Sequence, residues 1–193
     1  MYRLYPALLE AASASIFLIP YLIHHRKNHV YGVQTIMLIL FAIYLSTVYA
    51  IAGLPTVFYI RFRPNVNLSP FLYMFTDRTA SLLNVLLFFP LGIFLPLLWT
   101  PFRNIFRTLL CGFAFSTVIE FLQIFTYRAT DINDLITNTA GTLLGFLVAM
   151  LMKNRIPKQL PGNSMDSFRT VLVVVLCTMF FIQPMFTRFV FGL

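Results

Sequence analysis

Residues 116–145 read STVIEFLQIFTYRATDINDLITNTAGTLLG, a stretch that places carboxylates and amides inside two otherwise apolar segments. These polar side chains are Glu120, Gln123, Asp131, Asp134 and Asn138. An ionisable side chain within a membrane is costly unless it has a partner or a water-filled pocket. The stretch therefore predicts that a polar site is built inside a membrane protein.

Each segment places its polar or small side chains on one stripe of an α-helix, because they recur at steps of three or four residues. The first stripe contains Gly112, Ser116, Glu120, Gln123 and Tyr127. The second contains Asp131, Asp134, Asn138, Gly141, Gly145 and Ala149. Only residues 127–130 connect the two, so we expect antiparallel neighbouring helices whose polar ends share one membrane surface. The GxxxG pattern of Gly141 and Gly145 indicates close backbone packing.

The composition excludes a soluble protein. Of 193 residues, 59% are hydrophobic and 10% are charged, which is far outside the soluble range. The net charge of +8 does not indicate nucleic acid, because the cations are scattered through short loops between apolar segments. Such cations bind anionic membrane lipids and orient a membrane protein. The sequence thus predicts a single membrane domain over residues 1–193, and it indicates neither a cofactor nor a metal centre.

Six apolar segments meet or approach the length of about 20 residues that a helix needs to cross a bilayer. They cover residues 4–23, 33–54, 79–99, 105–127, 132–152 and 170–191. The predicted fold is therefore all-α, a polytopic transmembrane helical bundle. The loops after the first, third and fifth spans carry eight lysines and arginines and the opposite side carries six, which favours both termini outside the cell.

The long loop, residues 55–78, is expected to dock on this bundle. Its prolines and its Asn-Leu-Ser-Pro turn disfavour a plain helix, and its aromatic side chains suit the membrane interface. We predict that it forms either an interfacial or a re-entrant segment. Asn67 in this loop and Asn84 near the start of the third span lie at the same predicted surface as the turn at 127–130. The loop and the third to fifth spans thus converge on one end of the bundle.

The carboxylates carry the strongest functional signal. Glu120 lies about two helical turns inside its span, where it either stays protonated or pairs with an arginine of the same surface. Thr130 or Asp131 could cap the fifth helix, with Asp134 in the first turn. A cap accounts for only one of these two acids. Amides between membrane helices often only hold the helices together. That interpretation stays open for Asn84, Gln123 and Asn138.

Four motifs follow one another along the chain. They are Asn67-Leu-x-Pro-Phe71 in the loop, Asn84-x-x-x-Phe-x-Pro-Leu-Gly92 in the third span, Ser116-x-x-Ile-Glu-x-x-Gln123 in the fourth, and Arg128-x-x-Asp-x-x-Asp-x-x-x-Asn-Thr-x-Gly-x-x-x-Gly145 after it. Together they resemble the VanZ family over about residues 33–152. Ser69 stands where an aliphatic residue is usual and Thr137 where Leu is common, and the first and last spans lie outside the shared core. The resemblance implies a bacterial cytoplasmic-membrane protein of the group associated with resistance to teicoplanin and similar lipoglycopeptide antibiotics, and it implies no mechanism.

The residues support three hypotheses of different kinds. In the first, an outward-facing pocket binds a lipid-linked cell-wall precursor or the antibiotic, and arginine pairs with its phosphate or carboxylate groups. The pocket residues are Asn67, Asn84, Glu120, Gln123, Arg128, Asp131, Asp134 and Asn138. In the second, the protein is a membrane-embedded hydrolase or transferase acting on a lipid-linked or cell-wall substrate. Glu120 is then the general base, and Asp131 and Asp134 orient groups or hold Mg²⁺ or Ca²⁺. In the third, the polar face only packs the bundle or docks a partner protein.

Overall fold

A computed structural model describes residues 4–25, 32–62, 64–67, 69, 71, 78–126, 128–152 and 165–191. Within these residues, six helical segments are long and apolar enough to cross a membrane. They are α1 (Leu4–His25), α2 (Gly32–Ala52), α3 (Arg78–Leu98), α4 (Ile105–Gln123), α5 (Ile132–Leu151) and a last segment made of α6 (Met165–Cys177) and α7 (Gln183–Phe191). The all-α, multi-pass prediction is confirmed.

Most helix ends lie within two residues of the prediction, and two differ by more. The fourth span ends at Gln123 and passes into a turn over residues 124–126, short of the predicted residue 127. The last span begins at Met165, earlier than the predicted residue 170. Asp166 lies in its first turn, where a carboxylate complements the helix dipole. Hydropathy marks the part of a helix that suits lipid, and the polar first turn lies outside that signal.

The chain divides into two compact units. The terminal unit comprises residues 1–60 and 164–193, with α1, α2, α6 and α7. The central unit comprises residues 61–163, with α3, α4 and α5. The single membrane domain expected from the sequence stays a prediction.

The terminal unit contains a π-helical turn, Thr178–Ile182, between α6 and α7. In this unit the Phe180 carbonyl accepts a hydrogen bond from the Val57 N–H at 3.0 Å. The turn leads into the buried Gln183, whose Nε2 lies 3.5 Å from the Ser13 hydroxyl on α1. A π turn adds one residue to the helical repeat, and such turns often occur at functional or interhelical contacts. Here the turn precedes the polar contact between α7 and α1.

In the central unit, α3 and α5 run parallel and touch backbone to backbone. Gly141 faces the main chain of Val85, and Gly145 faces the main chain of Phe89. A Cβ atom on Gly145 would lie 3.0 Å from the Gly92 Cα atom and closer still to the Phe89 carbonyl. The close packing predicted from the GxxxG pattern is therefore confirmed, and its partner is α3.

Helix α4 runs antiparallel to α5 and packs on a different side of it. Gly112 fits against Thr142, where an added Cβ would lie 2.7 Å from the Thr142 Cγ2 atom. One contact further along, the Asn138 Nδ2 donates to the Ser116 Oγ at 2.9 Å. The predicted first stripe is buried at Gly112, Ser116, Glu120 and Gln123, and Tyr127 lies outside the described residues. Helix α5 thus contacts α3 through its backbone on one face and contacts α4 through polar side chains on another.

We expect Gly145→Ala to lower the free energy of unfolding by about 1–3 kcal/mol, because the new methyl group meets main-chain atoms that cannot move aside. Thermal unfolding of the purified protein in detergent measures this change. Gly32→Ala is the matched control, since nothing lies within 4 Å of a Cβ at that position. An equal shift for both variants would show that the α3–α5 contact is looser than described.

Candidate functional site

Two short strands fasten the long loop to the connection between α4 and α5. Strand β1 (Val66–Asn67) pairs in parallel with β2 (Thr130–Asp131), with Asn67 opposite Asp131. The Thr130 N–H donates to the Asn65 carbonyl at 2.8 Å. The predicted docking of the loop on this end of the bundle is therefore correct, and backbone hydrogen bonds produce it.

The side chains of this opposed pair also bind each other. The Asn67 Nδ2 donates to the Asp131 Oδ2 at 3.1 Å, and its Oδ1 accepts the Ser69 N–H at 3.1 Å. One amide thus stabilises the turn of its own loop and connects the loop to the start of α5. Among the predicted site residues, Asn67 and Asp131 are in direct contact.

Asp131 is the N-cap of α5. Its Oδ1 accepts the Asn133 N–H at 2.9 Å and the Asn133 Nδ2 at 2.9 Å, while its Oδ2 accepts from Asn67. Of the two capping residues that the sequence allowed, Asp131 rather than Thr130 performs the role. Both carboxylate oxygens therefore have donors.

Glu120 binds the main chain of the same connection from the α4 side. It is 7% exposed, and its Oε2 accepts the Asp131 N–H at 2.9 Å. Its carbonyl accepts the Thr130 hydroxyl at 2.9 Å. The charged groups that act on this carboxylate are Asp134, Asp131 and Arg128. The strand that leads into α5 thus holds the buried carboxylate of Glu120. Glu120 lies one helical turn from Ser116 on α4.

Asn133 belongs to the same hydrogen-bonded cluster as Asn67, Glu120 and Asp131, although the sequence did not single it out. Its side chain is 5% exposed, its Oδ1 accepts the Phe71 N–H at 2.7 Å, and its Nδ2 donates to the Ser69 carbonyl at 3.3 Å. It therefore holds the loop at a second point beyond the β1–β2 pair. The signal that could have found it is an amide two positions after a capping acid, where the side chain can reach outside the helix.

Phe71 has a left-handed backbone with φ of 64°, the one such non-glycine residue in the described part of the chain. A bulky L-residue adopts this conformation only when its surroundings hold it there. The hydrogen bond from the Phe71 N–H to buried Asn133 supplies that hold. Its side chain is 56% exposed.

A second polar contact lies deeper between α4 and α5. Asn138 is 4% exposed and donates to Ser116, and no described residue donates to its buried Oδ1. Ser116 lies one turn from Glu120 on the same stripe. The polar face predicted for the two helices is thus continuous from Asp131 down to Asn138.

The other predicted site residues lie nearby with different roles. Gln123 is buried at the end of α4, and its carbonyl accepts the Thr126 hydroxyl at 3.0 Å. Arg128 lies within the connection and Asp134 in the first turn of α5; both are half-buried, and both interact electrostatically with Glu120. Asn84 is half-buried on α3, and no hydrogen bond joins its side chain to the described residues. The structure therefore does not place Asn84 in the hydrogen-bonded cluster.

Arginines surround this end of the central unit. The Arg61 side chain is exposed. The main-chain N–H of Arg61 donates to the Phe125 carbonyl at 2.9 Å, just past the end of α4. Arg78 begins α3, which is parallel to α5, so it lies at the same end and is also exposed. Two exposed guanidinium groups and half-buried Arg128 can therefore attract an anion here. Within the described ranges, no three His, Cys, Asp or Glu side chains come together as a metal site.

We expect Glu120→Ala to lower the free energy of unfolding by about 1–3 kcal/mol, because the part-buried Asp131 N–H loses its acceptor. Glu120→Gln keeps an oxygen for that N–H and should cost less. Unfolding of both variants in the same detergent gives the comparison. If both lost equal stability, the carboxylate charge rather than the hydrogen bond would be the stabilising feature.

At position 71 we expect the usual order of glycine and alanine to reverse. Phe71→Gly should be more stable than Phe71→Ala by about 1 kcal/mol, because glycine adopts a positive φ without steric cost. The same pair of changes at Phe62, which is exposed and has no positive φ, is the control. There the alanine variant should be at least as stable as the glycine variant.

The sequence matches the VanZ/LLP1 family over residues 16–153. The match starts within α1, so it includes half of the first span that the resemblance left outside, and it stops before α6. All the residues of the hydrogen-bonded cluster lie inside it. No curated protein and no solved structure gives a significant match. Because the match covers well over half of the chain, this multi-pass membrane protein belongs to the VanZ/LLP1 family.

Proposed function

We propose that the protein contributes to resistance to teicoplanin-type lipoglycopeptide antibiotics in a bacterial cytoplasmic membrane. Its polar end would bind either a lipid-linked cell-wall precursor or the antibiotic and so lower productive drug binding. Family membership supports the resistance role. The observation that carries the binding role is the convergence of Asn67, Glu120, Asp131 and Asn133 with three arginines on one end of the central unit.

The chemistry of this end favours an amphiphile with an anionic or hydrogen-bonding head. Exposed Arg61 and Arg78 present several N–H donors each, in a geometry that suits phosphate or carboxylate oxygens. Half-buried Asp134 can accept from amide or ammonium groups. A lipid-linked precursor and a lipoglycopeptide both combine such a head with a lipid tail. The cation count favours an outward orientation for this end, where both ligands would meet it.

The hydrogen-bonded cluster would act as the support of the binding surface. The oxygens of Asp131 and the Oε2 of Glu120 already have donors from the chain itself. These residues would therefore hold the loop in place, and the more exposed groups would contact the ligand. Asn84 is the weakest member of the binding set, since it stands apart from the cluster.

The alternative is a membrane-embedded hydrolase or transferase with Glu120 as general base. A base needs a nucleophile or water within hydrogen-bond reach. Ser116 is the hydroxyl one turn away on the same stripe, but its Oγ accepts from Asn138, and no hydrogen bond joins it to Glu120 in the described structure. Binding is therefore the better supported proposal. Cell-wall precursors isolated with and without the protein would differ in chemical composition if it were an enzyme.

The test of the binding proposal is the teicoplanin susceptibility of cells that express wild type, Arg61→Gln or Arg78→Gln, with membrane abundance measured in the same samples. Both side chains are exposed, and the measured abundance shows whether either change affects folding. We expect resistance to fall at equal abundance, because losing a charge-assisted hydrogen bond of about 1.5 kcal/mol weakens binding roughly tenfold.

Two further variants control this experiment. Glu120→Gln should also lower resistance, because it weakens the hydrogen bonds that support the surface. Glu10→Gln makes the same chemical change on α1, outside the cluster, and should leave resistance unchanged. If both arginine variants kept full resistance, the binding surface would lie elsewhere. A loss that simply tracked abundance would return the cluster to a packing role.

A further inference from the structure

In the loop segment 61–71, of which the structure describes residues 61, 62, 64–67, 69 and 71, large apolar side chains are exposed. Phe62 is 68% exposed, Phe71 is 56% exposed and Val66 is 47% exposed. In a soluble protein such a group of side chains would be costly to leave in water. In a membrane protein, aromatic side chains at the level of the helix ends are typical of the boundary between headgroups and hydrocarbon.

A run of aromatic contacts connects this segment to the lipid-facing surface of α4. The Phe62 ring lies 5.8 Å from the Phe125 ring, which lies 5.7 Å from the Phe121 ring. Phe121 belongs to a membrane-spanning helix and is 58% exposed. The exposed apolar surface of the span therefore continues through Phe125 onto the loop.

The depth of the segment is fixed at two points. At one, the Arg61 N–H donates to the Phe125 carbonyl, two residues beyond the end of α4. At the other, the Phe71 N–H donates to Asn133 in the first turn of α5. Each of these helices is about 30 Å long, which equals the hydrocarbon thickness of a bilayer. Both points therefore lie at the edge of the hydrocarbon.

We propose that the segment 61–71 is a phospholipid-binding anchor in which the rings of Phe62 and Phe71 lie among the glycerol groups and upper acyl carbons. The left-handed backbone of Phe71 is explained by this role, since Asn133 holds the ring outward at a conformational cost. The anchor is interfacial rather than re-entrant, because its backbone pairs with the connection outside the spans. It does not depend on the proposed antibiotic role.

Fluorescence quenching by brominated lipids tests the depth of both rings. Trp99 is the chain's single tryptophan, so Phe62→Trp and Phe71→Trp are made in a Trp99→Phe background. The full-length protein is reconstituted into phosphatidylcholine and phosphatidylglycerol vesicles with bromines at defined acyl depths. We expect bromines nearest the glycerol to remove roughly half of the emission and those at the chain ends to remove much less.

Other quenching patterns would overturn the proposal. Emission that responds to aqueous iodide and to none of the brominated lipids would place the segment in water. Strongest quenching from the chain ends would make it re-entrant. Should the Trp99→Phe background fold poorly, the same indoles are read as difference emission against the wild type, whose Trp99 is 1% exposed.

A matched pair of variants tests the role of Asn133. In the Phe71→Trp protein, Asn133→Ala should shift the emission to the red and weaken shallow quenching, because the ring is no longer held outward. In the Phe62→Trp protein the same change should have little effect, since that ring is held through Phe125. Equal changes at both positions would mean that Asn133 supports the fold generally and does not position Phe71.

Discussion

The arrangement of the central unit depends on the main-chain N–H of Asp131, which donates to the buried carboxylate of Glu120. The first N–H groups of a helix have no acceptor within the helix and need a partner elsewhere. Glu120 supplies that partner across the helix pair, and the Asp131 side chain in turn caps α5 and receives Asn67. One connection thus joins α4, α5 and the long loop, so a change at any of the three is transmitted to the other two.

The two neighbours of α5 are held by different forces. Against α3, glycines let the backbones approach, and the contact is van der Waals packing without side chains between them. Against α4, small residues alternate with hydrogen bonds, as in the Ser116–Asn138 pair. Packing of the first kind fixes distance, whereas hydrogen bonds of the second kind fix register along the helix axis. Together they determine where the start of α5 lies relative to the loop that docks on it.

The spans, the buried stripe of α4 and the glycine contact were predictable, because helical periodicity and residue size are local properties of the sequence. Asn133 was not, since its partners Phe71 and Ser69 lie 62 and 64 residues away along the chain. The β1–β2 pair was not either, because strands of two residues carry no periodic signal. Asn84 was grouped with the site by its position on the span, whereas its side chain stands apart from the hydrogen-bonded cluster. Family motifs placed Asn67 and Phe71 in one loop motif, and only the three-dimensional arrangement shows that the start of α5 holds both, Asn67 through Asp131 and Phe71 through Asn133.

The π turn in the last span governs the side on which α7 presents its residues. Each residue turns an α-helix by about 100°, so one extra residue within Thr178–Ile182 rotates all that follows by that angle. This rotation brings Gln183 to Ser13 on α1. Deleting a single residue from the turn would keep the span long enough to cross a membrane yet direct Gln183 toward a different neighbour. The length and hydropathy of the span would not reveal this change. Homologous last spans that align without gaps over this turn are therefore the ones in which α7 presents the same face to α1.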